Sequence, residues 1–95
     1  MTSKQRAYLK GLASNLNPIF QVGKNSLTPE LTEAIEEAFH KNELIKVAVL
    51  KNCVDDPGEI ANMVAERTHS QVVHVIGKRF VLYKPDLDKP RIILP

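Results

Sequence analysis

Ninety-five residues, 43% hydrophobic and 25% charged, suffice for one domain with a modest core and are too few for two. Net charge is only +2, no apolar run approaches the roughly 20 residues of a membrane helix, and Met1 to Arg6 lack the apolar stretch of a signal peptide. The single cysteine, Cys53, excludes an internal disulfide and fits a reducing compartment, so a cytoplasmic protein with no membrane association is expected.

Ser3 is read as the N-cap of a first helix running to about Ser14, with Leu9, Leu12, Ala13 and Leu16 as its buried stripe. Asn15 to Pro18 breaks it, and Ile19-Phe20-Gln21-Val22 reads as a short strand. Thr28 caps the second helix and Pro29 opens it, where a missing N–H costs nothing. Leu31, Ala34, Ile35, Ala38 and Phe39 form its apolar stripe. Glu30, Glu33, Glu36 and Glu37 lie off that stripe, Glu37 one turn from a pairing partner in Lys41, and Asn42 stops the helix.

Leu44 to Leu50 is β-rich without a breaker and predicts an interior strand. Asp56-Pro57-Gly58-Glu59 reads as a capping box opening a third helix, with Ile60, Met63, Val64 and the stem of Arg67 inward and Thr68-His69-Ser70 at its close. Gln71 to Ile76 and Arg79 to Lys84 form a hairpin around Gly77-Lys78, Gly77 supplying the positive φ. From Pro85 the chain is a polar tail, in which Arg91-Ile92-Ile93-Leu94 can add a short edge strand. The order predicts an α/β (α+β) fold: one compact αβαβαββ domain, with a four-stranded mixed sheet, helices packed on it and a core over residues 3–84.

Charge is unevenly spread. Residues 1–29 hold Lys4, Arg6, Lys10 and Lys24 with no acid; residues 30–66 hold nine acids against Lys41, Lys46 and Lys51; residues 67–95 hold six cations against Asp86 and Asp88. If the two ends of the chain meet, one basic face results. Between them the string Gly23-Lys24-Asn25-Ser26-Leu27-Thr28-Pro29 links a strand to a helix N-terminus, a setting that can place amides and a lysine around a phosphate. Glu30 and Glu33 compete for the dipole, which moves the expected anion forward onto Lys24 and the amides of residues 24–26.

Nothing points to catalysis. The glutamates fall on a solvated helix face, Cys53 beside Asp55 and Asp56 is a poorly placed nucleophile, and there is neither a Walker loop nor a GxGxxG string. His40, His69 and His74 lack zinc-site spacing. No enzyme activity, cofactor, metal or small-molecule substrate is expected. With no tryptophan and only Tyr8, Phe20, Phe39, Phe80 and Tyr83 as aromatics, a base-stacking platform is not expected either, which favours backbone contacts and structured RNA.

Several strings together resemble a known family. Lys10-Gly11-Leu12-Ala13, Leu16-Asn17-Pro18, Val22 to Thr28, Glu43 to Val47 and Val75 to Lys84 are similar, in order and spacing, to the CRM domain (chloroplast RNA splicing and ribosome maturation), in its stand-alone bacterial form. The resemblance implies an RNA-binding fold similar to the C-terminal domain of translation initiation factor three, and a GxxG loop comparable to that of KH domains. Here the second glycine is Ser26. If that position is left-handed, serine costs about 1–2 kcal/mol, unless Asn25 takes up the turn instead.

The function implied is that of a monomeric RNA-binding protein. It would associate with ribosomal RNA in large-subunit precursors and assist their maturation through phosphate contacts. The expected contact residues are Gly23, Lys24, Asn25 and Ser26, extended by Lys4, Arg6 and Lys10, then Lys46, Arg79 and Lys84. Lys46, inside an apolar strand, must reach solvent at an edge or be held by an acid. The alternative is a module that docks on a ribosomal protein or assembly factor without touching RNA.

Overall fold

The computed structural model describes residues 1–95. Its elements are α1 (Ser3–Ala13), β1 (Phe20–Val22), α2 (Pro29–Ala38), β2 (Leu44–Val49), α3 (Pro57–Thr68), β3 (Gln71–Ile76) and β4 (Arg79–Tyr83). The strands form one mixed sheet in the order β1-β2-β4-β3; β1 runs parallel to β2, and β4 is antiparallel to both its neighbours. β2 is therefore interior, as its composition predicts.

Alternation along β2 sorts the molecule into three layers. Ile45, Val47 and Val49 are buried on one face and meet Phe80 and Leu82 of β4 beneath α2 and α3. The opposite face carries Leu44, Lys46 and Ala48, and α1 crosses only part of it. Leu9 and Ala13 of α1 pack there on Val73, Val81 and Tyr83. Burying a leucine as completely as Leu9 contributes about 1.5–3 kcal/mol.

The helix caps follow from local chemistry, with some shifts. The N-cap of α1 is Thr2 rather than Ser3, because Gln5, three residues on, returns a bond to the Thr2 amide and closes a capping box. Leu12 and Leu16 are exposed: Leu16 lies beyond the end of α1 at Ala13, and the buried stripe of the helix narrows to Leu9 and Ala13. Thr28 caps α2 by accepting from the Leu31 amide. Ala34 is exposed, and the ion pairs of the molecule both belong to Arg91, so Glu37 and Lys41 are not paired. Asp56 caps α3 through the Gly58 and Glu59 amides, without the reciprocal bond a full capping box needs. Thr68 is buried in place of the Arg67 stem, and His69, left-handed at φ 57°, ends the helix.

Two further departures affect the surface. β3 shifts register between Val72 and His74, leaving Val73 as the extra residue of a bulge. The tail forms no edge strand. It is held on Glu43, and Ile92 and Leu94 pack against the α1-side core. At the hairpin Gly77 has φ 55° while Lys78 does not have a positive φ, the arrangement of a Gly-first two-residue turn.

Candidate nucleic-acid interface

The register places a row of four residues across the uncovered face: Gln21 of β1, Ala48 of β2, Arg79 of β4 and Ile76 of β3. One pleat step toward α1, Lys46 pairs with Val81, and Val81 with His74. Because α1 stops short, these rows remain open and form two adjoining clefts. One, of about 700 Å³, runs over Ala48 between Lys51, Lys78 and Arg79. The other, of about 260 Å³, lies between Lys10, Lys46, His74 and Arg79. Arg79 and Ile76 line both.

Five cations thus converge with no acid among the lining residues, and none of the five forms an ion pair. Lys10 comes from the basic first third of the sequence and Lys78 and Arg79 from the basic last third; the two ends of the chain do meet. Lys46 sits in neither setting expected of it. It lies on an interior strand and is held by no acid, because the face of the sheet above it is uncovered.

The Gly23–Ser26 loop adjoins the rim of the larger cleft. The Leu50 amide, from a residue lining that cleft, donates to Val22 O at 2.8 Å, and a Cβ added at Gly23 would meet Leu50 and Asn52 at 3.7 Å. The loop is a turn in which the Ser26 amide donates to Gly23 O at 2.9 Å. That amide is therefore taken, and the free amides expected over residues 24–26 reduce to those of Lys24 and Asn25. Ser26 itself is left-handed, at φ 56°; Asn25 does not take up the turn. Its Oγ is buried with no hydrogen-bond partner. An L side chain at this φ costs roughly 1–2 kcal/mol, which is the physical reason for a glycine there.

The remaining predicted contacts separate. Lys4 is exposed on the first turn of α1. Arg6 is taken up by its own chain: Nη1 donates to the Val72 and Val73 carbonyls, at 2.7 and 2.8 Å, that the bulge turns outward. Lys84 is likewise occupied, with Nζ on Thr68 O at 2.8 Å and 6.0 Å from the centre of the Phe39 ring. Neither ammonium nor guanidinium is directed into the cleft. Lys51 and Lys78 are the converse, cleft residues that only the register of loop against sheet reveals.

Sequence reasoning also missed Glu43, at the opposite end of β2. Its side chain is 1% exposed. Oε2 accepts from the Asp86 amide at 2.8 Å, and Oε1 from the Arg91 and Ile92 amides at 2.7 and 2.8 Å, with Arg91 Nε at 3.9 Å. Burial pushes this carboxyl up, but the three amides and the Arg91 charge outweigh it and hold the pKa below its ordinary value. Burial, with the Glu43 charge beside it, raises the Tyr83 phenol. An acid directly before an apolar strand is the only hint the sequence offers.

The class is thus a small α+β domain with one half of its sheet open and basic; no group of three or more metal-ligating side chains occurs. No helix is long and apolar enough to cross a membrane. Residues 1–84 match the CRS1 / YhbY (CRM) domain, and the chain belongs to that family. It is 41% identical over 95 residues to "Probable RNA-binding protein YqeI" of Bacillus subtilis, covering 100% of this chain and 99% of that one. It is 38% identical to a Haemophilus influenzae protein named "RNA-binding protein", over 100% of this chain and 95% of that one. The solution structure of SAV1595 from Staphylococcus aureus superposes with a TM-score of 0.84 at 41% identity, covering 100% and 99% of the two chains.

Proposed function

We propose that this chain binds RNA through the phosphate backbone, using the open half of the sheet and the Gly23–Ser26 loop at its rim. The observation that carries this reading is the convergence of Lys10, Lys46, Lys51, Lys78 and Arg79 around clefts lined by no acid. Such a concentration of unpaired cations costs electrostatic repulsion in the free protein and is relieved by a polyanion. The names of its relatives support RNA as that polyanion. Membership of the CRM family supports a finer reading, that the RNA is ribosomal and is met in precursors of the large subunit, where the protein assists maturation.

The test is salt-dependent binding to ribosomal RNA fragments. Lys24→Ala weakens binding and lowers the slope of log K against log salt by about 0.7–0.9, the contribution of one phosphate. Unchanged affinity and slope remove Lys24 from the interface. Association that appears only when ribosomal protein is present moves the function to protein docking.

A further inference from the structure

If the chain binds RNA as proposed, the same cleft also selects the form of that RNA. A single strand is held by grooves that combine cations with aromatic side chains on which bases stack. This face presents no Phe, Tyr or Trp ring, and its one ring is the imidazole of His74, half-buried in the smaller cleft. Phe39, Phe80 and Tyr83 are buried, Phe20 packs on the opposite core, and Tyr8 lines neither cleft. At the centre of the open row the sheet instead presents Ala48, which leaves a floor too small to separate bases and low enough for a backbone to approach.

The cations are arranged along the strand direction. Lys46, Arg79 and then the loop residues Lys51 and Lys78 follow the run of β2 and β4 from α1 to the hairpin end. At about 3.3 Å per residue the stretch of β2 from Lys46 to Val49 is on the order of 10 Å long, and Lys51 lies in the turn beyond it. A double helix carries roughly twice the charge of one strand over such a length and holds it at fixed spacing. Cations with no Phe, Tyr or Trp among them suit double-helical RNA, which is read by shape and backbone.

We infer that the open half of the sheet takes the backbone of double-helical RNA, with Lys46, Lys51, Lys78 and Arg79 on phosphates, and discriminates against single strands. The experiment measures binding of the full chain, by anisotropy at one salt concentration, to a 20-base-pair RNA duplex of roughly the length a double-strand reader spans and to each of its separated strands. The duplex is expected to bind at least about tenfold tighter, and Arg79→Gln to weaken the duplex more than the strands. Ala48→Trp, which adds a stacking surface to the floor, is expected to narrow that preference by improving the single strands. Single strands bound as tightly as the duplex by the unaltered chain overturn the inference and leave RNA binding intact. Binding of neither overturns both readings.

Discussion

The two ends of β2 treat charge in opposite ways. Before its first residue, Glu43 is buried and its carboxylate meets three backbone amides and the Arg91 side chain. Around the end of the same strand, Lys51, Lys78 and Arg79 gather with no acid, and the nearby Ser26 hydroxyl is buried without a partner. A buried charge is tolerable only when its lone pairs are filled, so the Glu43 end is organised for stability. Unpaired cations add nothing to stability, so their concentration at the other end needs an external partner to explain it.

The largest expected effect comes from breaking the satisfied end. Glu43→Gln replaces an acceptor-only group with one that turns an NH₂ toward amide donors, and a destabilisation of about 3 kcal/mol is expected. At roughly 4–8 °C per kcal/mol for a domain of this size, thermal unfolding would show a Tm lower by about 12 °C or more. A loss under about 1 kcal/mol would mean that the tail is not held by this carboxylate in solution.

Acid tests the same end without mutation. The folded pKa of Glu43 lies below its ordinary value of 4.5, so its contribution is fully present above that value and is lost as pH falls through the folded pKa. Denaturant unfolding from pH 6 downward should show stability falling below about pH 4.5, and Glu43→Gln should flatten part of that fall. An identical pH profile for the variant would assign the acid sensitivity elsewhere, Asp86 being the next carboxyl held low, by the Lys89 and Asp88 amides.

Smaller effects of the opposite sign are expected at the open end. Ser26→Gly relieves a left-handed serine and removes the orphaned hydroxyl, set against the added freedom of glycine in the unfolded chain, for a net gain of about 1 kcal/mol. A loss of stability would show that the hydroxyl has a partner in solution. Arg79→Gln should leave stability within about 0.5 kcal/mol while removing up to about 0.9 from the salt slope of RNA binding. A stability loss like that of Glu43→Gln would erase the contrast between the two ends.

Much of the fold was legible because its signals are local. Thr28-Pro29 and Asp56-Pro57 announce helix starts through cap chemistry, and the unbroken β-rich run from Leu44 marks an interior strand, though not that only the face of Ile45, Val47 and Val49 is buried. The loop and the order of elements were read from the same local signals, and the strings shared with the CRM family added the expectation that the loop meets RNA. Less was legible of the tail, whose apolar Ile92 and Leu94 suggest a strand until Glu43 is seen to bind the amides such a strand would pair.

What the sequence by itself determined is the inventory: seven elements, a glycine turn at Gly77, a serine at the fourth position of the Gly23–Ser26 loop, and basic residues toward both ends of the chain. What only the tertiary structure decided is which of those charges are free. Arg6 and Lys84 read as surface cations until the bulge of β3 and the end of α3 present them with carbonyls, while Lys51 and Lys78 join the cleft only because the β3–β4 hairpin closes on the end of β2. The reason is range. Caps and periodicity are set by neighbours within a few residues, whereas a cation's partner is set by whichever distant backbone the fold brings within 3 Å or so.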